Sequence, residues 1–401
     1  MRARTSARLG ADFSKLWTAT AISNIGDGIT MAAGPLLIAS LTADPAAVAA
    51  AVFVQQLPWL LFALISGAYV DRVDRRRLIV VVNLLRGLAL AALTVTVATD
   101  LVSLPVVYLT LFLLGAGETL ADTAAGAILP AVVPPERLAG ANARLMATFT
   151  LGNQFLAKPL GAALFVVAAA LPFGVDALTF LVAAALMAWV RPIPAQPSEP
   201  SAGLRAEIAA GVRWLWRHRL MRTLTVSMGL SNVVFGAAFS VFVLYVQQRL
   251  GLSELGYGLL LTTFGVGGLV GTGLAARLQA RFGAAVLLRA GLVVEASTHA
   301  VLALATTAWI AVPTLVFFGI HAMVWGVIAV TLRQRVVPPD LLGRVGSVNA
   351  LFDVGGSALG ALLGGLLAST LGITAPFWTA AVVVTVITIV AWRRLGEAPG
   401  K

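Results

Sequence analysis

The amino-acid sequence predicts an all-α membrane protein with twelve transmembrane helices in two six-helix pseudo-repeats. Hydrophobic residues make up 59% of the 401 positions and charged residues only 11%, whereas soluble domains carry about 25% charged residues. The apolar runs continue over about 20 residues, which is the length of a membrane helix rather than of a barrel strand. A polar linker divides these runs into two halves.

Twelve apolar spans occur along the chain, and basic residues concentrate in alternate connections between them. The spans lie near residues 15–41, 47–70, 78–98, 103–129, 142–170, 173–190, 222–248, 256–276, 285–305, 309–332, 345–370 and 372–392. When both termini are placed on one side, that side receives nearly every arginine, including Arg86, and the other side keeps Arg249. Lys158 is then the basic residue left deep inside a span. Because positive residues stay in the cytoplasm, both termini of this multi-pass protein of the inner membrane are predicted to be cytoplasmic.

The composition argues against several classes of function. Cysteine is absent, which excludes disulfides, thiolate metal sites and cysteine nucleophiles, and no metal or other cofactor is expected. Lys15, Lys158 and Lys401 all lie outside the pattern G-x-x-x-x-G-K-[ST], so we do not expect ATP-driven transport. The sequence also offers no support for covalent catalysis, and we do not expect an enzyme. The net charge of +11 follows the topology, and it therefore indicates contact with membrane lipids rather than with nucleic acid.

A polar, proline-rich stretch at residues 192–201 separates the sixth and seventh spans. It leads into a segment whose apolar residues share one helical face among arginines, which is typical of a helix lying on the membrane surface. We therefore predict a six-helix bundle at 13–192, a cytoplasmic linker with an amphipathic helix at 193–221, and a second six-helix bundle at 222–394.

The two bundles carry traces of an internal repeat. Short segments of the first bundle recur in the second at a nearly constant offset: 133–138 at 337–342, 23–25 at 231–233, Gly152 at Gly356 and Gly161 at Gly365. Two parallel repeats of six helices fit a two-half transporter, whose substrate site lies between the halves near the middle of the membrane.

A highly charged segment of seven residues, 71–77, joins the second and third spans. With Gly67 ahead of it, this stretch has the pattern G-x-x-x-D-R-x-D-R-R-R, which resembles the signature loop of the major facilitator superfamily. Asp74 stands where that family prefers glycine, and aspartate tolerates a left-handed turn better than most residues. Further segments resemble the macrolide-efflux, multidrug and siderophore exporter group of that superfamily, whose members are drug:proton antiporters. These segments are 16–17, 23–28, 129–136, 141–142 and 343–345.

The resemblance implies the major facilitator fold and a cytoplasmic gate. The gate motif consists of Gly67, Asp71, Arg72, Asp74, Arg75 and Arg76, together with Asp122. By resemblance, Arg75 pairs with Asp122 at the base of the fourth span, and Asp71 faces the N-terminus of the eleventh, where a helix dipole favours a carboxylate. The alternative is a basic loop that only sets topology, which accounts for the arginines but not for Asp71.

Three ionisable residues lie near the middle of predicted spans. At 1.5 Å per residue, Asp27 is about 18 Å, Glu118 about 21 Å and Lys158 about 24 Å into its span. Such groups need a partner or an aqueous cavity, and by resemblance the first, fourth and fifth spans line the cavity of the first half. Asp27 or Glu118, paired in turn with Lys158 or with a proton, would form an antiport switch. The alternative is a permanent ion pair that locks the three spans.

The fifth span also carries small residues around a proline. Residues 158–163 resemble a degraded antiporter motif, G-P-x-x-G-G, which we assign to Gly152, Pro159 and Gly161. Small residues permit close helix approach, and proline bends a helix. Gln55 of the second span and Asn153 and Gln154 of the fifth would form a mixed wall with aromatic residues, suited to bulky amphipathic drugs or simply to helix packing. Asn24 of the first span is a further candidate cavity residue.

In the second half, His321 and Trp325 share one face of the tenth span, and Asp353 lies in the eleventh. His321 is a candidate proton or substrate contact, although a lone histidine in a bundle is more often a packing residue. Glu295 and His299 are four residues apart on the ninth span, so we expect them to form an internal pair.

The pattern as a whole predicts a monomeric secondary transporter that exports an amphipathic drug or natural product by proton antiport with alternating access. Its partners would be a small-molecule substrate, protons and membrane lipids. The alternatives are a siderophore or metabolite exporter of the same mechanism and a lipid flippase, which needs a lateral apolar groove. A non-transporting sensor is a further alternative, but it is disfavoured because the sequence has no soluble signalling domain.

Overall fold

The computed structural model describes residues 10–70, 73–134, 137–191, 204–338 and 341–397, and these residues are almost entirely helical. The α-helices, in chain order, are α1 (Ala11–Leu41), α2 (Pro45–Val70), α3 (Arg75–Ala98), α4 (Leu104–Val132), α5 (Leu138–Thr148), α6 (Lys158–Val167), α7 (Leu171–Ala188), α8 (Leu204–Arg217), α9 (Arg219–Ser240), α10 (Phe242–Leu244), α11 (Glu254–Leu304), α12 (Ala308–Val336), α13 (Leu342–Leu371) and α14 (Ala375–Leu395). Two segments, Phe149–Ala157 and Tyr245–Arg249, are π-helical.

Ten helices of the described residues are long and apolar enough to cross a membrane. The longest, α11, has 51 residues and would extend about 77 Å if straight, more than twice the roughly 30 Å hydrocarbon core. It is broken at Gly283, which has φ 78° and ψ 162°. Glycine adopts this backbone conformation readily because it has no Cβ. The all-α membrane fold is therefore confirmed, while the count of twelve spans stays a prediction.

A continuous helical stretch from Leu138 to Val167 passes through α5, a π-helical segment and α6. Pro159, near the start of α6, has no backbone N–H and cannot donate to the carbonyl four residues earlier. The wider π turns directly precede it, and such segments are frequent at functional sites.

The chain forms two compact units. Of the described residues, unit one contains those within 10–34 and 61–191, and unit two those within 35–60 and 204–397. The first part of α2 thus belongs with the second unit, where Gly365 of α13 lies against Ala49 of α2. The bundle boundaries 13–192, 193–221 and 222–394 stay a prediction.

Unit one is held together by apolar side chains and close helix contacts. Phe13 and Leu16 of α1 and Ile79 of α3 are buried in its core, and α3 packs against both α4 and α7. Gly161 of α6 lies directly against the backbone of Ile29 in α1, so that a Cβ at this position would overlap the Ile29 carbonyl.

Unit two pairs α9 with α13 and α11 with α12, while α14 contacts both α9 and α11. The amphipathic segment forms α8, which buries Leu215 and leaves Arg213 and Arg217 exposed. Gly211 of α8 lies against the backbone of Arg344 in α13. Gly211 and Leu215 therefore lie on the packed side of α8, which contacts α13.

Candidate functional site

A buried ion pair lies in the middle of unit one. Arg86 Nη2 donates to Asp27 Oδ1 at 2.7 Å, and the side chains are 5% and 21% exposed respectively. The Arg86 guanidinium also stacks over the ring of Phe180, with Cζ 4.1 Å from the ring centroid. Arg86 lies about 17 Å along α3 from Arg75. A charge at this depth requires a partner, and Asp27 supplies it.

The position of Arg86 corrects the sequence analysis, which assigned it to the basic residues of the cytoplasmic side and named Lys158 as the cation inside a span. A signal was present in the sequence, because Arg86 is eight residues inside the span that starts near 78. Gly117 of α4 makes room for its side chain, since a Cβ at Gly117 would lie 2.6 Å from Arg86 Cδ.

Two further carboxylates of α4 belong to this site. Glu118 interacts electrostatically with Asp27, Arg86 and Asp122. Asp122, one turn further along α4, interacts with Asp27 and Arg86 and is the more exposed of the two acids. The three carboxylates would exceed the single guanidinium by two negative charges if all were ionised.

Sequence analysis missed a fourth acid, Asp176 of α7. Its carboxylate is fully buried and accepts hydrogen bonds from Thr30 Oγ1 at 2.5 Å and from Thr179 Oγ1 at 2.9 Å. Gly26 of α1 allows this approach, because a Cβ there would overlap Asp176 Oδ1. Asp176 is three residues inside its predicted span, which made it resemble a helix-end residue.

We call these five residues the carboxylate–arginine cluster: Asp27, Arg86, Glu118, Asp122 and Asp176. The electrostatic interactions of Asp176 extend to both Asp27 and Arg86. Arg86 thus interacts electrostatically with acids from three helices, α1, α4 and α7, while its ion-pair partner in this structure is Asp27.

The fifth-span residues pack against α1. Lys158 is buried at the first position of α6, but the ion-pair partner of Asp27 is Arg86. The Lys158–Glu118 alternative stays a prediction. Asn153 Nδ2 donates to the Asn24 carbonyl at 2.8 Å, which ties the π-helical segment to α1. Gln55 is half-buried in α2, and the side chain of Gln154 lies outside the described residues.

The described part of the gate motif shows a helix cap. Asp74 has φ −64° and ψ 105°, and its side chain accepts from the Arg77 N–H at 3.1 Å as the N-cap of α3. The expectation of a left-handed turn is therefore wrong, and aspartate is favoured here because it caps the helix. Arg75 is buried and Arg76 half-buried, and the Arg75–Asp122 pair stays a prediction. Asp71, Arg72 and the surroundings of Gly67 lie outside the described residues.

Unit two contains its own pair of ionisable side chains, Glu295 and His321. His321 Nε2 lies 3.8 Å from Glu295 Oε2, and both side chains are about nine-tenths buried. The ion-pair contact of Glu295 is thus with His321 of α12, while the expected interaction with His299 on its own helix is electrostatic only. His299 instead packs its ring against Phe318, with centroids 5.9 Å apart, and its ring nitrogens have no hydrogen-bond partner among the described residues.

Glu295 and His321 open into a cavity of about 200 Å³ within unit two. Besides Met228, the cavity is lined mainly by aromatic and polar side chains: Ser231, Asn232, Phe235, Phe264, Phe318 and Trp325. Trp325 Nε1 and Ser231 Oγ have no hydrogen-bond partner within the described chain. Asn232 Nδ2 donates to Asp353 Oδ1 at 3.2 Å, which connects Asp353 to the cavity wall. We call this the aromatic cavity.

Comparisons with known proteins agree with this architecture. A family model described as transmembrane secretion effector matches residues 7–397. The chain is 29% identical to the enterobactin exporter EntS of Salmonella typhi, over 88% of this chain and 85% of the relative. It is 27% identical to the multidrug efflux pump Tap of Mycobacterium bovis, over 94% of this chain and 91% of the relative.

Solved structures share the fold. A bacterial homologue of the iron transporter ferroportin, in its inward-facing state, has a TM-score of 0.79 at 17% identity, covering 98% of this chain and 100% of that chain. The nucleoside transporter NupG has a TM-score of 0.76 at 10% identity, covering 97% and 100%. At such identities the likeness concerns the fold alone.

Proposed function

Because the chain belongs to the transmembrane secretion effector family of major facilitator transporters, we propose that it exports an amphipathic small molecule in exchange for protons. The proposal combines proton handling in unit one with cargo binding in unit two. The protein would act as a monomer in the inner membrane with cytoplasmic termini.

The observation that carries this proposal is the buried Arg86–Asp27 ion pair, surrounded by more acids than one cation can neutralise. Like charges repel strongly in a medium of low dielectric constant. A proton on Asp27 would break the ion pair and leave Arg86 to interact with Glu118 or Asp176. Such an exchange of partners couples proton binding to helix position, since each conformation would favour a different pair.

The aromatic cavity supports an amphipathic cargo. Aromatic rings provide large apolar contact surfaces, and a few polar groups fix orientation in such a site. A dry cavity of about 150 Å³ accommodates benzene, so the aromatic cavity has room for one substituted ring of a larger molecule. The Glu295–His321 pair and the Trp325 N–H would bind its polar groups.

Export, rather than uptake, is supported by the relatives, of which one is named an enterobactin exporter and another a multidrug efflux pump. The enterobactin exporters favour a second candidate cargo, a siderophore or another specific metabolite. Both candidates use the same mechanism, and competition between chemically unrelated cargo molecules distinguishes broad from narrow selectivity.

The charged hairpin would serve as the gate that closes the cytoplasmic side. Arg75 is already buried at the start of α3, where it can reach acids at the base of α4. Asp71 would face a helix N-terminus and stabilise one conformation without touching cargo.

The test uses the purified protein in liposomes with an imposed pH gradient. We expect Glu118→Gln to abolish gradient-driven accumulation of a fluorescent cationic dye while retaining downhill dye exchange, because the variant cannot lose a proton. Asp100→Asn removes an exposed acid between α3 and α4 and serves as the matched control. Unchanged gradient-driven accumulation in Glu118→Gln would remove Glu118 from the coupling mechanism.

A further inference from the structure

A groove between α9 and α14 lies on the surface of unit two, apart from both the carboxylate–arginine cluster and the aromatic cavity. It has a volume of about 400 Å³ and is lined by apolar side chains along most of its length. Leu230 and Val390 are exposed in it, and Ile387 forms its floor. Two arginines, Arg222 and Arg394, line the same groove.

The arginines mark one end of the groove. Arg222 belongs to the first turn of α9 and Arg394 to the last turn of α14. Trp392 and Trp216, close to these arginines in sequence, are 44% and 47% exposed. Exposed tryptophans concentrate at the level of lipid headgroups, so both guanidinium groups belong at that level.

Both guanidinium groups keep donors available. Arg222 Nη1 donates to the Trp216 carbonyl at 3.1 Å, and Arg394 Nη1 donates to Glu397 Oε1 at 3.0 Å. A guanidinium has five N–H donors, so four on each have no acceptor among the residues that the structure describes. Glu397 lowers the positive charge of the site without removing it.

The length of the groove matches one lipid chain. From Arg222 to Leu230, α9 advances about 12 Å, which is close to half of the roughly 30 Å hydrocarbon core. We propose that the groove binds one anionic phospholipid, with its phosphate between Arg222 and Arg394 and an acyl chain along the apolar floor. Basic pockets between membrane helices bind such headgroups through charge-assisted hydrogen bonds.

A second groove on the same helix provides a contrast. It lies between α11 and α14, has a volume of about 480 Å³, and is lined by residues such as Val293, Trp378 and Ile389 without any charged side chain. Two apolar grooves thus lie along α14. Of these two, the groove against α9 is lined by a pair of arginines and the groove against α11 is not. Charge is therefore what gives the α9 groove its preference for anionic lipid.

The experiment is native mass spectrometry of the purified full-length protein, titrated with phosphatidylglycerol or with phosphatidylcholine of the same acyl chains. We expect one tightly bound phosphatidylglycerol and a preference over phosphatidylcholine that falls at least about tenfold in Arg222→Gln/Arg394→Gln. Glu397→Gln should raise the preference. Arg393→Gln removes an exposed neighbouring charge that does not line the groove, and it should leave the preference unchanged.

Three outcomes would overturn the proposal. They are equal binding of the two lipids, an equal loss in Arg393→Gln, and displacement of the lipid signal by inorganic phosphate alone, which would indicate a free-anion site. Because an unfolded chain takes up more charges than a folded one at the same mass, the charge-state distribution identifies an unfolded double variant, and the single variants then decide the outcome.

Discussion

The two units bury their charges in different ways. In unit one, acids from three helices surround Arg86, whose positive charge is permanent. In unit two, Glu295 faces His321 of a neighbouring helix at 3.8 Å. A fixed cation with excess acids suits the exchange of protons among carboxylates. A carboxylate–histidine pair in an aromatic cavity suits recognition of a polar group on an apolar molecule.

The scaffold under these two sites is the same. Gly152 lies against Ile25 in unit one, and at the repeat-related positions Gly356 lies close to Val233 in unit two. These contacts need a residue without a side chain, so both copies retain glycine. The charged residues have no such requirement and differ between the copies. The comparison indicates that the repeat preserves helix packing, while each half has acquired its own chemistry.

The largest expected effect comes from breaking the buried pair in unit one. Arg86→Gln would leave Asp27 buried without its partner, which destabilises a protein by about 3–5 kcal/mol. Thermal unfolding of the detergent-purified variant measures this loss.

The double variant Arg86→Gln/Asp27→Asn removes both charges and should recover most of the stability, but not gradient-driven transport. If the double variant were as unstable as Arg86→Gln alone, packing on Phe180 rather than the ion pair would explain the effect.

An intermediate effect is expected in unit two. Glu295→Gln would weaken the interaction with His321 and with a polar group of the cargo, and a charge-assisted hydrogen bond contributes about 1.5–3 kcal/mol. Cargo affinity, measured by dye titration of purified protein, should fall about 10- to 100-fold. Proton coupling, measured as dye accumulation at saturating dye for each imposed pH gradient, should persist. Loss of coupling at unchanged affinity would transfer the proton role to unit two.

The smallest effect is expected at the start of α3. Asp74→Gly should lower the free energy of unfolding by only a few tenths of a kcal/mol, because glycine is itself an acceptable N-cap, whereas Asp74→Ala should cost about 1 kcal/mol. Chemical denaturation of both variants, with transport assayed in parallel, separates the capping role from a gate role. A transport loss in Asp74→Gly at unchanged stability would give Asp74 a part in the gate.

Composition and hydropathy alone determined the class of the molecule. Long apolar runs without charge leave a chain no alternative to membrane helices, since every backbone polar group must be satisfied within the segment. The same reasoning identified Asp27 and Glu118, because an acid in the middle of an apolar run can be recognised from the sequence without a structure. The amphipathic helix α8 was equally visible from the spacing of its apolar residues.

The tertiary structure decided which charges meet. Arg86 and Asp27 are 59 residues apart, and Glu295 and His321 belong to different helices, so no local pattern relates them. Asp176 escaped notice because depth in a membrane depends on where a helix starts, and sequence boundaries are uncertain by a few residues. Sequence periodicity thus determines which face of a helix is apolar, whereas helix packing determines which charged side chains become partners.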